Sequence, residues 1–400
     1  MFEPRLLAAS GRTLADHHKR FGPLPTVDGP ELIAAIDAAG LSGRGGAGFP
    51  AAVKLAAVSG PKPVVVANAA EGEPLSRKDA VLLKRAPQLV LDGLEAVATA
   101  VNADKAYLYL HPDAVPAATK ALDERRTAGL DPHKITLVEA PDRFVAGEES
   151  AVVRRIEGGP ALPRDRVVVT AISGVHGRPT LVNNVETLAH VALIARYGAE
   201  WFRSVGDADD PGTMLVTLSG AVDHQGVLEV PTGTLLTDLI RHHGGTDPRA
   251  MSAILVGGYH GTWLPADTFD GTRLSRTGLE HLGATPGAGI IHALGRTECG
   301  LVRSAEIVAY LADESARQCG PCKKGLPRLA ELVDELAYGR ANDPLVKEIL
   351  RITRLVDARG ACRHPDGTAR LVRSALRAFV TDIELHHHDR CTAADAVVRD

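Results

Sequence analysis

Cysteine is scarce in this chain: five in 400 residues, at Cys299, Cys319, Cys322, Cys362 and Cys391. An odd count in so long a chain excludes the disulfide framework that staples small secreted domains. Long apolar runs are absent too. Each is broken by Gly, Pro or a charge well short of the ~20 residues a membrane-spanning helix requires, which excludes direct membrane insertion. The start, Met1-Phe2-Glu3-Pro4-Arg5-Leu6-Leu7, lacks the apolar stretch and small-residue cleavage site of an export leader. The expectation is therefore a cytoplasmic protein that reaches a membrane periphery only through a partner. Nor does one sign of charge dominate. Lys and Arg number 45 against 49 Asp and Glu, for a formal net charge of -4, and no basic block stands out. That excludes nucleic acid as a partner. No internal repeat and no low-complexity segment is present.

What is there is an ordinary globular composition, 45% hydrophobic and 24% charged, in a chain long enough for two to four domains. The first twenty-odd residues show little pattern. A helix is expected over Pro30–Ala39, with Pro in the first turn and Gly40 as the stop. A second start follows at Ala51–Leu55. Val64–Ala67, Ala106–Leu110 and Ile135–Val138 read as buried strands. Between and after them, Asp79–Val101 (interrupted near Pro87), Ala114–Ala128 and Glu148–Glu157 read as helices. Strands separated by helices imply a parallel sheet with crossover connections. Another helix is expected over Asn184–Tyr197. Past Asp207-Asp209-Asp210-Pro211-Gly212 the texture changes. Strands at Met214–Leu218, Val227–Val230 and Ile254–Val256, with a helix at Leu235–His242, suggest a small α+β module. From about Glu298 onward the pattern is helical.

Five segments carry chemistry. Gly43-Arg44-Gly45-Gly46-Ala47-Gly48-Phe49-Pro50 removes Cβ atoms so that backbone N–H groups can converge on an anion, with Lys54 able to add a full charge. It precedes the first sheet strand and so is not the dinucleotide fingerprint, which follows one. Phosphate binding and a tight structural turn both stay open for it. Asn68-Ala69-Ala70-Glu71-Gly72-Glu73-Pro74 begins where a strand ends, the edge at which open α/β sheets bind ligands. A solvated turn with two acids explains it equally well. Phe144-Val145-Ala146-Gly147-Glu148-Glu149-Ser150-Ala151 also follows a strand. Val182-Asn183-Asn184-Val185-Glu186-Thr187 places paired amides at a helix start, where they can cap it, contact a ligand, or do both. Cys319-Gly320-Pro321-Cys322, with Cys362 forty positions later, sits among helices. That context favours metal ligation over the redox-active role of a βαβ motif.

Taken in this order, the segments resemble the NADH-binding flavoprotein subunit of respiratory complex I and its relatives in NAD-linked hydrogenases and formate dehydrogenases. The similarity runs from about residue 30 to 385. It implies an α/β fold: a Rossmann-like parallel-sheet flavin domain, then a ubiquitin-like β-grasp domain, then a C-terminal helical bundle holding a [4Fe–4S] cluster. The implied boundaries are 1–62 for an N-terminal segment with the nucleotide loop, 63–206 for the FMN and NADH domain, 207–296 for the β-grasp domain and 297–400 for the iron–sulfur domain.

The resemblance also implies roles. Gly43, Arg44, Gly45, Gly46, Ala47 and Gly48 would shape the nucleotide site, Phe49 would stack on adenine, and Lys54 would lie near phosphate. Asn68, Glu71, Asn183, Asn184 and Thr187 would hold FMN, within the Val182–Thr187 signature. Glu73 and the pair Glu148 and Glu149, in the signature that opens at Gly147, would orient nicotinamide and its ribose. No acid–base residue is required, because hydride passes between the cofactors. The implied partners are NADH and an electron-accepting protein: a small [2Fe–2S] subunit, a ferredoxin or a membrane reductase.

Two departures stand out. The family has Asp where this chain has Ala70, and Thr-Phe at Ser76-Arg77, which bears on NADH against NADPH preference. Its cluster motif Ser-Cys-Gly-x-Cys-x-Pro-Cys aligns with Ser315–Cys322, so Ala316 replaces the first ligand. Cys319, Cys322 and Cys362 remain. They leave a [4Fe–4S] or [3Fe–4S] cluster, a substitute ligand such as Cys299 or His364, or no cluster as alternatives. The corresponding functions are an NADH dehydrogenase with a cluster, a cluster-free flavin reductase acting on a ferredoxin or quinone, and a redox-inactive scaffold.

Overall fold

The structure is a computed structural model that describes residues 3–9, 11–165, 168–339 and 341–397. It divides into two compact units, one of Met1–Val216 with Val227–Thr234 and Gly287–Gly289, the other of Thr217–Gly226, Leu235–Pro286 and Ile290–Asp400.

The first unit opens on α1 (Leu14–Phe21), where little pattern was expected. Thr13 Oγ1 accepts from Asp16 N–H at 3.2 Å while Asp16 Oδ2 accepts from Thr13 N–H at 3.3 Å. This is a capping box with Asp in the place usually held by Glu or Gln, which hid it in the sequence. Then follow α2 (Gly29–Ala39), α3 (Ala51–Ala56), β1 (Val64–Ala69), α4 (Lys78–Arg85), α5 (Pro87–Ala100), β2 (Lys105–Leu110), α6 (Val115–Ala128), β3 (Ile135–Glu139), α7 (Glu149–Ile156), β4 (Thr180–Asn184) and α8 (Val185–Arg203). Pro87 splits the expected helix: it lacks an N–H and so begins α5 where α4 must end.

The four strands lie in the order β3-β2-β1-β4, all parallel. Along β1 successive side chains face opposite ways, and both ways are buried. Val65, Ala67 and Ala69 join the core built by α2, α5 and α8, while Val64 and Val66 join Tyr109, Val152, Val153 and Val182 on the other side. Two-sided burial is why the strand reads as an unbroken apolar run rather than an alternation. Each such Val contributes about 1.5–3 kcal/mol on burial. Helices α5 and α8 meet closely at Gly93, where a Cβ would fall 1.9 Å from the Leu188 carbonyl oxygen. The chain steps outward from β1 to β3 and then returns to the far side of β1 as β4. The order reverses between β1 and β4, and a crevice at such a reversal, outside the carboxyl ends of the strands, is where this class of sheet takes its ligands.

A second sheet follows, comprising β5 (Thr213–Gly220), β6 (Gly226–Pro231), β7 (Met251–Val256), β8 (Thr262–Pro265) and β9 (Ile290–Gly295) in the order β6-β5-β9-β7-β8. β5 and β9 are parallel and the β9-β7-β8 pairings antiparallel. First and last strands side by side at the centre is the β-grasp arrangement. Its helix is α9 (Leu236–Asp238), which widens into a π-helical turn over Leu239–His243. The short α10 (Arg276–Glu280) precedes β9. The C-terminal helices are α11 (Gly300–Asp313), α12 (Leu326–Tyr338), α13 (Asp343–Val356), α14 (His364–Ala378), α15 (Val380–His386) and α16 (Thr392–Val397). No helix among the described residues is long and apolar enough to cross a membrane.

Two details of these units have measurable consequences. In the first, the Glu229 carboxylate accepts the N–H groups of Arg5 at 3.0 Å, Leu6 at 2.9 Å and Leu7 at 3.0 Å, and the Thr213 hydroxyl at 2.8 Å. In the second, His292 lies buried on β9 with Nδ1 3.0 Å from Ser219 Oγ, and burial pushes its imidazole down to about 4. The folded chain thus binds fewer protons than the unfolded one between about pH 4 and 6.5. This contribution is complete above that window and is lost as pH falls through it, about 3 kcal/mol in all. Thermal stability is expected to fall from pH 7 to pH 4.5, and less steeply in His292→Gln. Equal slopes in the two proteins would show that His292 is not the titrating group.

Candidate functional site

At the carboxyl edge of the first sheet, β1 and β4 pair with Ala67 opposite Asn183 and Asn68 opposite Asn184. Strand parity sends Asn68 and Asn184 to the same face as Val66 and Val182, and Asn183 to the other. Asn68 Nδ2 donates to the Gly147 carbonyl at 2.9 Å, and Asn68 Oδ1 accepts from Ala70 N–H at 3.1 Å. Asn184 caps α8, its Oδ1 accepting from Glu186 N–H at 3.1 Å, so cap and site residue coincide. Asn183 is buried, and its Nδ2 has no hydrogen-bond partner among the described residues.

The glycine-rich loop folds onto this edge. Gly43 N–H donates to the Phe49 carbonyl at 2.9 Å and Ser42 bridges Pro50, which closes the loop at its base. Gly46 and Gly48 take φ of 109° and 61°, the left-handed side that favours glycine. Arg44 N–H donates to Thr187 Oγ1 at 2.9 Å, and a Cβ on Gly45 would stand 3.2 Å from Asn184 Cβ. Within the loop, Phe49 is 53% exposed, an unusual position for a large ring. Lys54 turns inward. Its ammonium donates to the Val182 carbonyl at 2.6 Å and pairs with Glu149 at 3.3 Å, so the neighbouring chain already engages this cation.

The Phe144–Gly147 turn closes the other flank. Gly147 approaches so near that a Cβ would lie 2.8 Å from the Ala70 carbonyl, and a Cβ on Gly72 would lie 2.4 Å from that of Phe144. Glu148 caps α7 through Oε2, which accepts from Ser150 N–H at 2.9 Å and Ala151 N–H at 3.3 Å. Glu149 accepts the Thr170 hydroxyl at 2.5 Å. Glu71 accepts from Ser76 Oγ at 2.5 Å and from Ala80 N–H at 2.9 Å, which folds the 70–77 segment back on α4. All four flavin-domain segments therefore meet at one edge.

The sequence reading missed a buried ionic group beneath that edge. Lys78 Nζ lies 2.7 Å from Asp79 Oδ1, 3.0 Å from Glu186 Oε2 and 3.1 Å from Asn184 Oδ1, and Asn184 Nδ2 donates to Asp79 Oδ2 at 2.6 Å. Burial pushes the Asp79 carboxyl up to about 7 despite the neighbouring ammonium. The signal in the sequence, Arg77-Lys78-Asp79, is that of any solvated helix start, so only the tertiary fold reveals the group.

In the C-terminal helices, Cys319 and Cys322 flank Pro321 where a π-helical turn (Pro321–Gly325) leads into α12. The Cys322 and Cys362 thiols are buried. Burial and the neighbouring sulfurs of Cys319 and Cys362 push the Cys322 thiol up to about 12. Burial also works to raise Cys319, but N–H groups of Cys322 and Ala361 outweigh it and hold that thiol below its ordinary value. A cleft of about 500 Å³ opens beside Cys322, edged by Ala312, Arg317 and Lys323. Arg317 stands where the complex I motif has glycine and takes φ of 52°, a conformation that is strained for a residue with a Cβ. His364 and Cys299, the substitute ligands, are engaged elsewhere. His364 Nε2 donates to the Leu311 carbonyl at 2.7 Å and its Nδ1 lies 3.2 Å from His260 Nε2, while Cys299 sits 3.6 Å from His386.

Comparison with known proteins fits this geometry. Residues 36–193 match the Nuo51 FMN-binding domain, 215–256 the SLBB domain, and 302–386 the NADH-ubiquinone oxidoreductase-F iron-sulfur binding region. The F subunit of NADH-quinone oxidoreductase in Streptomyces coelicolor is 30% identical over 372 residues, covering 89% of this chain and 83% of that protein. The chain belongs to the family of NADH-quinone oxidoreductase F subunits. Another member, the F 2 subunit of NADH-quinone oxidoreductase in Rhizobium meliloti, is 29% identical over 377 residues, 90% of this chain and 89% of that one. The crystal structure of an NAD+-reducing [NiFe]-hydrogenase in the H2-reduced state superposes with a TM-score of 0.83 at 31% identity over 90% of this chain, which spans 63% of the hydrogenase chain's length.

The chain is thus a flavoprotein oxidoreductase of that family, with an FMN-binding domain and an iron–sulfur binding region. Its residues fit FMN. The Asn183 amide, buried without a partner among the described residues, and the glycine loop over Asn184 form a cradle that added Cβ atoms would fill. The donor chemistry of the iron–sulfur region suits a cluster with three thiolate ligands: the Cys322 thiol feels the sulfurs of Cys319 and Cys362, and Ser315 Oγ, beside Ala316, is buried without a partner among the described residues.

Proposed function

We propose that this chain is the NADH-oxidising subunit of a larger oxidoreductase, with FMN seated over the carboxyl ends of β1 and β4. The observation that carries the reading is the Asn68–Asn184 register pair at the strand-order reversal, with the buried Asn183 amide beside it. FMN held there would supply hydride acceptance from reduced nicotinamide and one-electron release, and a cluster held by the cysteines would supply the onward one-electron path.

The chain's own residues bind and orient. Asn68, Glu71, Asn183, Asn184 and Thr187 hold the flavin's polar chain and phosphate. The Gly43–Gly48 loop shapes the nucleotide site, and Phe49 presents its exposed ring to adenine. Glu73, Glu148 and Glu149 orient nicotinamide and ribose, while Lys54 holds Glu149 and the Val182 carbonyl in place. Cys319, Cys322 and Cys362 would hold the cluster, and Ala316 stands where the family's remaining thiolate would be. The acceptor is an electron-carrying protein, whether a small [2Fe–2S] subunit, a ferredoxin or a membrane reductase. The domain boundaries that go with this reading are 1–62, 63–206, 207–296 and 297–400.

Ala316 favours one second reading, a flavin reductase without a cluster. A single experiment separates the two. Protein purified anaerobically and supplied with FMN is expected to bleach in the visible on adding NADH, with iron and sulfide present in stoichiometric amounts. Asn183→Ala is expected to weaken flavin retention about tenfold, the worth of one good hydrogen bond. Bleaching without iron would favour the flavin reductase, and failure to take up FMN would end both readings.

A further inference from the structure

Two cysteines and a histidine that play no part in the flavin or cluster sites converge at the other end of the helical region. Cys299 Sγ, His386 Nε2 and Cys391 Sγ lie within 4.8 Å of one another, the tight trio of potential ligands among the described residues. Each lies at the end of a helix or immediately before one. Cys299 is the N-cap of α11, His386 closes α15, and Cys391 immediately precedes α16. We propose that this trio is a structural zinc site, clasping the start of α11 to the α15–α16 turn.

Three independent features support the assignment. The first is distance. Cys299 Sγ and His386 Nε2 are 3.6 Å apart. Zn–S and Zn–N bonds of about 2.3 and 2.0 Å at the tetrahedral angle require an S···N edge of roughly 3.5 Å. The second is preorganisation. α11 and α15 approach only because residue 300 is glycine, since a Cβ there would fall 2.1 Å from the Phe379 ring. The chain then reverses between His386 and Cys391, with Arg390 N–H donating to the Leu385 carbonyl at 3.0 Å and Asp389 at φ of 58°. The third is outer support. Asp382 Oδ1 accepts from Thr392 N–H at 3.0 Å and Thr392 Oγ1 at 2.6 Å and lies 3.7 Å from Cys391 Sγ, which fixes the turn that carries the sulfur.

Two sulfurs and one imidazole are donors of the kind zinc takes, and the trio supplies three of its four tetrahedral positions. Zinc binding releases the two thiol protons to solvent. No electron moves, so no oxidant is needed.

The test is elemental analysis of the full-length protein purified anaerobically, with zinc and iron counted together. Stoichiometric zinc is expected in the wild type, falling to background in Cys391→Ser and His386→Ala. Cys319→Ser is expected to lower iron and leave zinc unchanged. Because a clasp variant can fail to fold, wild-type protein stripped of metal and titrated with Co2+ supplies a second readout, a thiolate-to-cobalt charge-transfer band in the near ultraviolet. Zinc that persists in Cys391→Ser, zinc that falls with iron in Cys319→Ser, absence of the cobalt band, or a Cys299–Cys391 disulfide in place of metal would each overturn the proposal.

Discussion

Replacing Lys78 with methionine is expected to destabilise the first unit by about 3–5 kcal/mol, the usual cost of leaving a buried charge uncompensated. Lys78, Asp79 and Glu186 are all fully enclosed, and the ammonium is the cation that faces both carboxylates at hydrogen-bonding distance. Without it the two acids must take up protons or draw in water, and Asn184 loses the ammonium on its Oδ1. Flavin retention should fall with stability, because Asn184 anchors both the network and the start of α8. The double variant Lys78→Met/Glu186→Gln removes a charge of each sign and should recover much of the loss. Urea unfolding together with flavin content decides the matter. A single variant within ~0.5 kcal/mol of wild type would mean that water already screens the trio.

Gly72→Ala is expected to cost the greater part of the NADH activity while leaving a folded protein. Its Cβ would fall 2.4 Å from the Phe144 carbonyl oxygen, 2.5 Å from that of Arg143 and 2.7 Å from Phe144 Cα, all of them backbone atoms that no rotamer change can move. The 70–73 segment must therefore lift away from the Phe144–Gly147 turn. A displacement near 1 Å in a positioning element costs about 100-fold in rate. The predicted signature is a large drop in kcat/KM for NADH with a modest shift in Tm. Unchanged kinetics would show that the two segments need not touch for the reaction.

These predictions separate what could be read from the sequence from what could not. β1 was legible because both of its faces are buried, so Val64-Val65-Val66-Ala67 forms an apolar run bounded by polar loops. Pro87 marked the α4–α5 break through its missing N–H. β4 escaped because it is five residues long and ends in two asparagines, which read as a helix start, and that start is also real. β8 and β9 escaped for a related reason: Trp263 and His292 interrupt short apolar stretches whose partners lie far away in the chain. The site segments were legible one by one, because glycine and asparagine advertise close approach and capping. Their assembly was not, since register pairs Asn68 with Asn184 across 116 positions. The Lys78 network and the Cys299–His386–Cys391 trio lay beyond reach for the same reason, each being built from residues unremarkable in their own segments.

The grip of Glu229 on the amides of Arg5, Leu6 and Leu7 fixes an order of events during synthesis. At about 5–20 residues per second, the ribosome reaches position 229 on the order of tens of seconds after it has made the N-terminal turn. Until then those amides have no carboxylate to bind, although α1 through α8 have already been made. A fragment ended at residue 206, the natural cut for a free-standing flavin domain, would carry this open seam permanently. It should be soluble only with its first residues frayed and exposed to protease, and adding back the β5–β6 hairpin should heal it.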